Sequence, residues 1–313
     1  MRVLVTGGAG FIGSHLVRTL VDDLQEVVVL DNLSTGKGEF LPWEAKFIEG
    51  DVSDQLETDH LIKKYLPTHC VHMAGLTSAP RSMNHPWDTY QQNLMAGVSL
   101  LDSFRKNIRP TKFVFCSSSA VYGEGGMASL NERAMTVPVT PYGASKLAFE
   151  HQLRIQNDMA TKGTVSLRFS NVYGPKNISG ESSVIESIAG AINDHEIPII
   201  YGMEEVGDEG CVRDYIYVRD VVSAIMLALD SSKDMTGAYN VSTNIPTNTK
   251  TLLRLICGVL GNKPNCLDKL PREGDTKYSV LDYQELQVLG WEPEVGLNEG
   301  LRYTLDDIND RRD

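Results

Sequence analysis

Val3–Gly13 reads VLVTGGAGFIG, and the rest of the chain is best understood outward from it. A short apolar run of β-branched residues leads through three spaced glycines, Gly7, Gly10 and Gly13, into a stretch of helical periodicity. Such a turn needs glycine for positive φ, for close backbone approach to a pyrophosphate and for tight helix–strand packing. The helix it opens, beginning at Phe11 and Ile12, presents free N–H groups and the positive end of its dipole to a phosphate. A glycine triplet alone also fits a plain packing turn, so its surroundings decide. Asp31 ends the next apolar run, eighteen residues after Gly13. A carboxylate there takes both hydroxyls of an adenosine ribose and repels a 2′-phosphate, which favours NAD over NADP. Lys37 is close enough in sequence to soften that preference. Asp51 and Val52, at the end of a third apolar run, are placed to hold the adenine; a helix cap is the competing role for Asp51.

Beyond this start, β-rich runs alternate with helical stretches. RVLVTGG, EVVVLDN, KFIEGDV, HCVHMAG, KFVFCSSS and TVSLRFSNVYG read as buried strands. GSHLVRTLVDDL, DHLIKKYL, YQQNLMAGVSLLDSFRKN and YGASKLAFEHQLRIQNDMA read as helices. That alternation predicts an α/β fold, a Rossmann-type doubly wound parallel sheet covered on both faces. After Pro175 the rhythm changes: a helix near Ser182–Asn193, a strand in IPIIYG, a loop rich in Gly and acid, and a closing helix around Leu297–Asn309. RDYIYVRDVVSAIMLALD reads as a strand and helix returning to the sheet. The expected organisation is a nucleotide-binding domain over 1–170, with a later return of about 214–242, and a smaller mixed α/β substrate domain over 171–313.

The 313 residues suffice for a large core, and 42% hydrophobic with 22% charged residues is ordinary for a globular protein. A net charge of −12 argues against nucleic acid or an anionic membrane as partner, since no basic excess is available to neutralise phosphates. Any anionic substrate must then be met by a few local cations. No apolar run reaches bilayer-spanning length, and no secretory h-region precedes VLVTGG. The five cysteines are widely spaced without a C-x-x-C pair, so neither a metal site nor a disulfide framework is expected, and a reducing, cytoplasmic setting is.

Tyr142 and Lys146 form Y-x-x-x-K at the start of an amphipathic helix, on one helical face. A phenol titrating near ~10 is a poor base at neutral pH unless cations stabilise its phenolate; Lys146 and an oxidised nicotinamide would both do so. Ser118, at the end of the preceding strand, offers a hydroxyl to bridge a sugar oxygen and the phenolate, although serines at strand ends often bond the backbone instead.

GGAGFIG, DNLSTG, GDVSD, HMAGL, SSSAVYG, PYGASK, RFSNVYGP, VRDYIYVRD and REGD follow in that order over almost the whole chain. Together they resemble the NAD-dependent epimerase/dehydratase family, a branch of the extended short-chain dehydrogenases/reductases; DNLSTG and HMAGL are most similar to its UDP-hexose 4-epimerases. The resemblance implies ribose binding by Asp31 with Asn32 beside it, adenine binding by Asp51, a cofactor contact from Ala74, and one close to the nicotinamide from Asn93. It implies Ser118, Tyr142 and Lys146 as the catalytic set, with Tyr142 and Lys146 also touching the cofactor, Lys146 at the nicotinamide ribose, and Ser118 also touching the substrate. For a UDP-sugar it implies Asn171, diphosphate clamps at Arg213 and Arg272, Asp275 on the uridine ribose, and Ile200 and Tyr201 flanking the uracil. Planar, bidentate arginines suit a diphosphate in an acidic protein; ion pairs to Asp214 or Asp220 are the alternative for Arg213, and solvent for Arg272. The residue four beyond Asp275, Ser279, borders the sugar's 2-substituent in the family, while a one-residue slip would place Tyr278 there. Thr77, Ser170 and Ser183 depart from the pattern, standing where relatives carry Lys, Phe and Asn.

The implied reaction is C4 epimerisation through a 4-keto sugar with NAD retained, in a homodimer formed through helices around 90–106 and 143–160. A dehydratase or decarboxylase is the alternative, but Ser119 and Ala120 replace the Asp-Glu pair of 4,6-dehydratases. An inactive NAD-responsive binding protein is a third reading, opposed by the intact Ser118, Tyr142 and Lys146.

Overall fold

A computed structural model of the protein describes residues 1–177, 183–272 and 275–312. Its strands are β1 Arg2–Thr6, β2 Glu26–Asp31, β3 Lys46–Glu49, β4 His69–His72, β5 Lys112–Ser118, β6 Thr164–Phe169, β7 Asn171–Tyr173, β8 Ile199–Tyr201, β9 Val212–Tyr217, β10 Gly237–Val241, β11 Pro246–Asn248, β12 Leu267–Lys269 and β13 Tyr278–Ser279. Seven of them form one sheet in the order β10-β6-β5-β4-β1-β2-β3, with every neighbouring pair parallel. Parallel strands buried on both faces should be apolar throughout, because helices cover each side. Val3, Val5, Val29, Val71 and Val114 face one helical layer; Leu4, Val28, Leu30, Cys70, Phe113 and Phe115 face the other.

The order reverses between β1 and β4, so a crevice opens beyond the carboxyl ends of those strands, where open α/β sheets bind ligands. Gly7 has φ +72°, and a Cβ there would meet the Ala74 nitrogen at 2.8 Å. A Cβ on Gly13 would collide with the Gly7 carbonyl oxygen. These contacts seat the helix Phe11–Asp22 against β1 and leave no room for other residues.

The strand in RDYIYVRD does not return to the central sheet. It is β9, the middle of a second sheet with β7, β11 and β13; the helix Val218–Leu229 packs on the main core, and the strand that joins β6 is β10. The reason lies in side-chain partition: Tyr215 and Tyr217 bury into the smaller core, whereas Ile216, Val221 and Ile225 join the larger one. Ile12 and Val172 pack against both cores, which fixes the smaller unit over the crevice. The helix expected near Ser182–Asn193 runs Val184–Asn193 with Ser183 as N-cap; Ser182 lies outside the described residues. The long helix expected after Tyr90 is interrupted by a π turn over Gln91–Met95 before continuing as Ala96–Asn107.

Candidate active site

The crevice is a cleft of about 1010 Å³ whose wall includes Gly7, Gly10, Phe11, Ile12 and Gly13, then Asp31, Asn32, Asp51, Val52 and Ala74. At its base Gly10 caps the helix Phe11–Asp22 without a side-chain hydrogen bond, leaving the first helical turn to an anion. Asp31 ties the two turns together, accepting from the backbone N–H of Ala9 and of Leu33, each at 2.9 Å. Asp51 accepts from Asn32 Nδ2 at 2.8 Å and from the Ser53 N–H and hydroxyl at 2.8 and 2.6 Å. The cap of the following helix is Asp54, so capping does not claim Asp51. Lys37 lies 3.5 Å from Glu39 and 5.9 Å from the Phe40 ring centroid, and is not on the cleft wall.

Three groups converge where β5 ends. Tyr142 stands in the first turn of the helix Pro141–Ile155, with its phenol close enough to the Ser118 side chain for that hydroxyl to favour the phenolate. Ser118 Oγ also accepts from the Ala120 N–H at 3.2 Å, so it both caps the turn after β5 and reaches the phenol. Lys146 Nζ donates to the Cys116 carbonyl at 3.0 Å and sits 5.9 Å from the Tyr142 ring centroid. Burial holds this ammonium down to about 8, with Cys116 and then Glu150 pulling the other way. Burial also pushes the Tyr142 phenol above its usual range; the Ser118 hydroxyl opposes this and Cys116 adds to it. The Lys146 ammonium is thus engaged by a carbonyl while it stands beside the Tyr142 ring.

Toward the smaller unit, a hollow of about 260 Å³ shares Asn171, Arg213 and Asp275 with the cleft and adds Tyr201 and Arg272. The Arg272 guanidinium lies 3.7 Å from the Tyr201 ring centroid. Arg213 donates to the Val212 carbonyl at 2.9 Å, and the acids that could have claimed it are occupied. Asp214 accepts from Thr243 and Asn244, and Asp220 from the N–H groups of Glu294 and Val295. Among the described residues Arg213 is in no ion pair. Ser279 is on the cleft wall and Tyr278 is not.

Two expected residues lie elsewhere. Ile200 is 1% exposed and belongs to the core of the smaller unit, while Ile199 and Tyr201 face the hollow, because successive side chains of a strand point to opposite sides. Asn93 is buried behind the wall: its amide donates to the Leu76 carbonyl at 2.9 Å and to Ser145 Oγ at 3.1 Å, and its oxygen accepts from the Leu76 N–H at 2.7 Å. It holds the loop after β4 in place, and Gln92 takes the wall position. Ser183 is occupied as a helix cap in a reciprocal pair with Glu186, and Ser170 donates to Asp214 at 3.4 Å. The sequence reading missed Ser82, whose hydroxyl accepts from the Tyr142 N–H at 3.1 Å. Nothing in its local pattern marks it.

The chain belongs to the NAD dependent epimerase/dehydratase family, whose model matches residues 3–242. It is 33% identical over 302 residues to a putative UDP-glucose 4-epimerase of Methanocaldococcus jannaschii, covering 96% of each chain. The solved structure of UDP-glucose 4-epimerase from Thermus thermophilus, in complex with NAD, is similar with a TM-score of 0.93 and 39% identity, over 99% of both chains. A UDP-N-acetylglucosamine 4-epimerase from Methanobrevibacter ruminantium, in complex with UDP-N-acetylmuramic acid, gives a TM-score of 0.90 and 33% identity over 99% of this chain and 98% of that one.

Proposed function

We propose that the protein is an NAD-dependent UDP-hexose 4-epimerase, acting on the UDP-glucose/UDP-galactose pair and, through the small Ser279, on the N-acetylhexosamine pair. The observation that carries this reading is the single cleft holding Ser118, Tyr142 and Lys146 at one place and Arg213 at another, with Arg272 in the adjoining hollow. The residues fit NAD: the glycine turn has no room for a Cβ at Gly7 or Gly13, and the Asp31 carboxylate stands on the wall at the end of β2. When bound, NAD supplies the reversible two-electron oxidation of the sugar carbinol at C4.

The chain supplies the rest. Tyr142 Oη takes the proton of the 4-hydroxyl, with Ser118 Oγ bridging the two oxygens, and returns it to the 4-keto sugar after the hexose has turned. Proton transfer by a positioned group contributes about 10²–10⁴ in rate. Arg213 and Arg272 hold the diphosphate, Asp275 the uridine ribose, and Tyr201 with Ile199 the uracil. Ser118, Ala120, Ser170, Asn171 and Ser279 leave the hexose a wall of small neutral groups. Firm anchoring of the nucleotide and weak hold on the sugar are what turning the intermediate requires.

We assign residues 1–170, with the later return of the helix Val218–Leu229 and of β10, to cofactor binding and the rest of 171–313 mainly to substrate binding. No helix among the described residues is long and apolar enough to cross a membrane, and we place the enzyme in the cytoplasm as a homodimer. Met95 and Ile155, 51% and 73% exposed on the two helical segments concerned, support that interface; sedimentation velocity tests it. Incubation with a panel of UDP- and dTDP-hexoses, with NMR identification of products, tests the activity. Appearance of 4-epimers without added NAD(H) turnover is expected, and dehydrated or decarboxylated products would replace the assignment.

A further inference from the structure

Three consecutive residues of β5 grip one helix at three successive turns. Ser118 lies against the Tyr142 phenol on the cleft wall, the Cys116 carbonyl accepts from Lys146 at 3.0 Å, and Ser117 Oγ donates to Glu150 Oε1 at 2.5 Å. Tyr142, Lys146 and Glu150 are spaced i, i+4, i+8 and share one helical face. Glu150 is buried, and it is held from β6 by Arg168, whose Nε lies 3.0 and 3.2 Å from the two carboxylate oxygens and whose Nη2 lies 2.6 Å from Oε2. Arg168 Nη1 donates to the Tyr122 hydroxyl at 2.9 Å, which donates to Asn240 Oδ1 at 2.7 Å. Asn240 in turn donates to the carbonyls of Leu130 and Asp282, each at 2.9 Å.

A buried bidentate ion pair is weak evidence for stability, because desolvation offsets most of its attraction. Placement directly below the reacting lysine calls for another role. We propose that Glu150 is a positioning residue for the epimerase reaction: its carboxylate fixes the Tyr142–Lys146 face against Ser118 and keeps Lys146 protonated in a dry site. The groups that face Lys146 are Tyr142 and Glu150 on its own helix, Cys116 on β5 and His72 on β4. Cys116 is a thiol that burial keeps neutral, and burial keeps His72 neutral as well. Glu150, paired with Arg168, is the one carboxylate among them, and it joins Cys116 in favouring the ammonium. The proposal rests on the epimerase reading for its consequence in turnover, but the state of Lys146 can be measured without turnover.

The experiment follows 13Cε-lysine NMR titration of the NAD-bound protein, with Lys146 assigned by Lys146→Met, beside pH profiles of kcat. Glu150→Gln should lower the Lys146 titration, the effect of losing a nearby opposite charge, and move the alkaline limb of kcat down with it. Because that variant strands Arg168 in the core, Glu150→Gln/Arg168→Met removes both charges and should fold while keeping the lowered titration. Ser117→Ala, a mild change, should reduce kcat roughly tenfold with KM unchanged, as for loss of one hydrogen bond to a charged group. A Lys146 titration and a kcat profile like those of the wild type in the double variant, or an unaltered kcat in Ser117→Ala, would make the pair a packing element only and overturn the proposal. A wild type without epimerase activity whose Lys146 titration still shifts in Glu150→Gln would instead count against the assigned reaction.

Discussion

The guanidinium of Arg272 is stacked on the ring of Tyr201 at 3.7 Å from its centroid. A flat cation held against an aromatic face is fixed in direction while its N–H edge stays free for a diphosphate. Arg272→Ala should raise KM for the UDP-sugar and weaken inhibition by UDP by roughly 10–150-fold, the equivalent of about 1.5–3 kcal/mol for a charge-assisted contact. Arg272→Lys should recover little, since it loses the fork and the stack together. Inhibition by UDP that is unchanged in both Arg272→Ala and Arg213→Ala would place the diphosphate elsewhere.

Tyr142→Phe should cut kcat by about 10²–10⁴ and leave NAD binding intact, because the glycine turn and Asp31 are untouched. Fluorescence titration with NADH beside steady-state kinetics separates the two effects. Turnover near that of the wild type would remove Tyr142 from the mechanism.

Asp31→Ala should weaken NAD far more than NADP, since a ribose acceptor and a charge that repels a 2′-phosphate are lost together. Lys37 leans toward Glu39 and Phe40 and is not expected to rescue NADP in the wild type. Isothermal titration with both cofactors checks this, and tighter binding of NADP by the wild type contradicts it.

Acid should destabilise the protein through His72 and His69. Burial holds them at about 3 and about 4, while unfolded histidine titrates near ~6.5. The unfolded chain therefore binds more protons throughout the window between those values. Stability contributed by the neutral rings is full above the unfolded value and falls as pH drops from about 6.5 toward 4. Thermal melts across that range should show a steadily falling Tm, less steep in His69→Gln. A Tm independent of pH there would rule the histidines out as the cause.

Ser279 lies beside Arg213 in the pairing of β13 with β9, and its side chain is on the cleft wall. Ser279→Tyr should suppress turnover of UDP-N-acetylglucosamine while sparing UDP-glucose, because overfilling a packed site costs typically about 1–3 kcal/mol. Equal losses for both sugars, measured as kcat/KM, would show that the residue does not gate the 2-substituent.

How far the sequence can be read depends on how local each constraint is. Gly7, Gly10, Gly13 and Asp31 are legible because turn, helix start and strand end all fall within about thirty residues. Ile200 is expected beside Tyr201 at the uracil yet points inward, because a three-residue strand has too short a pattern to fix which side chains face the core. Asn93 turns inward because a π turn shifts the helical register, and that shift leaves no trace in apolar spacing. Arg213 beside Asp214 cannot be resolved from sequence at all. Its freedom depends on Asp214 being taken by Thr243 and Asn244, which approach from a different loop. The pairing of Glu150 with Arg168 is equally invisible, since only the sheet brings a helix and a neighbouring strand together.

The last strand of the central sheet, β10, is reached only after the chain has passed through β7, β8 and β9 of the smaller unit. A ribosome that has released residues 1–170 has therefore delivered six of the seven strands and an exposed edge at Thr164–Phe169, a segment buried along its whole length in the finished protein. Such an edge is a template for pairing with another chain. A fragment cut at residue 170 should self-associate, and the nascent chain must keep that edge covered until Gly237–Val241 has emerged. The first part of the substrate-binding segment, Arg213 included, is thus made before the cofactor-binding sheet is closed, whereas Arg272, Asp275 and Ser279 follow only afterwards, and neither half can be released as a finished product by itself.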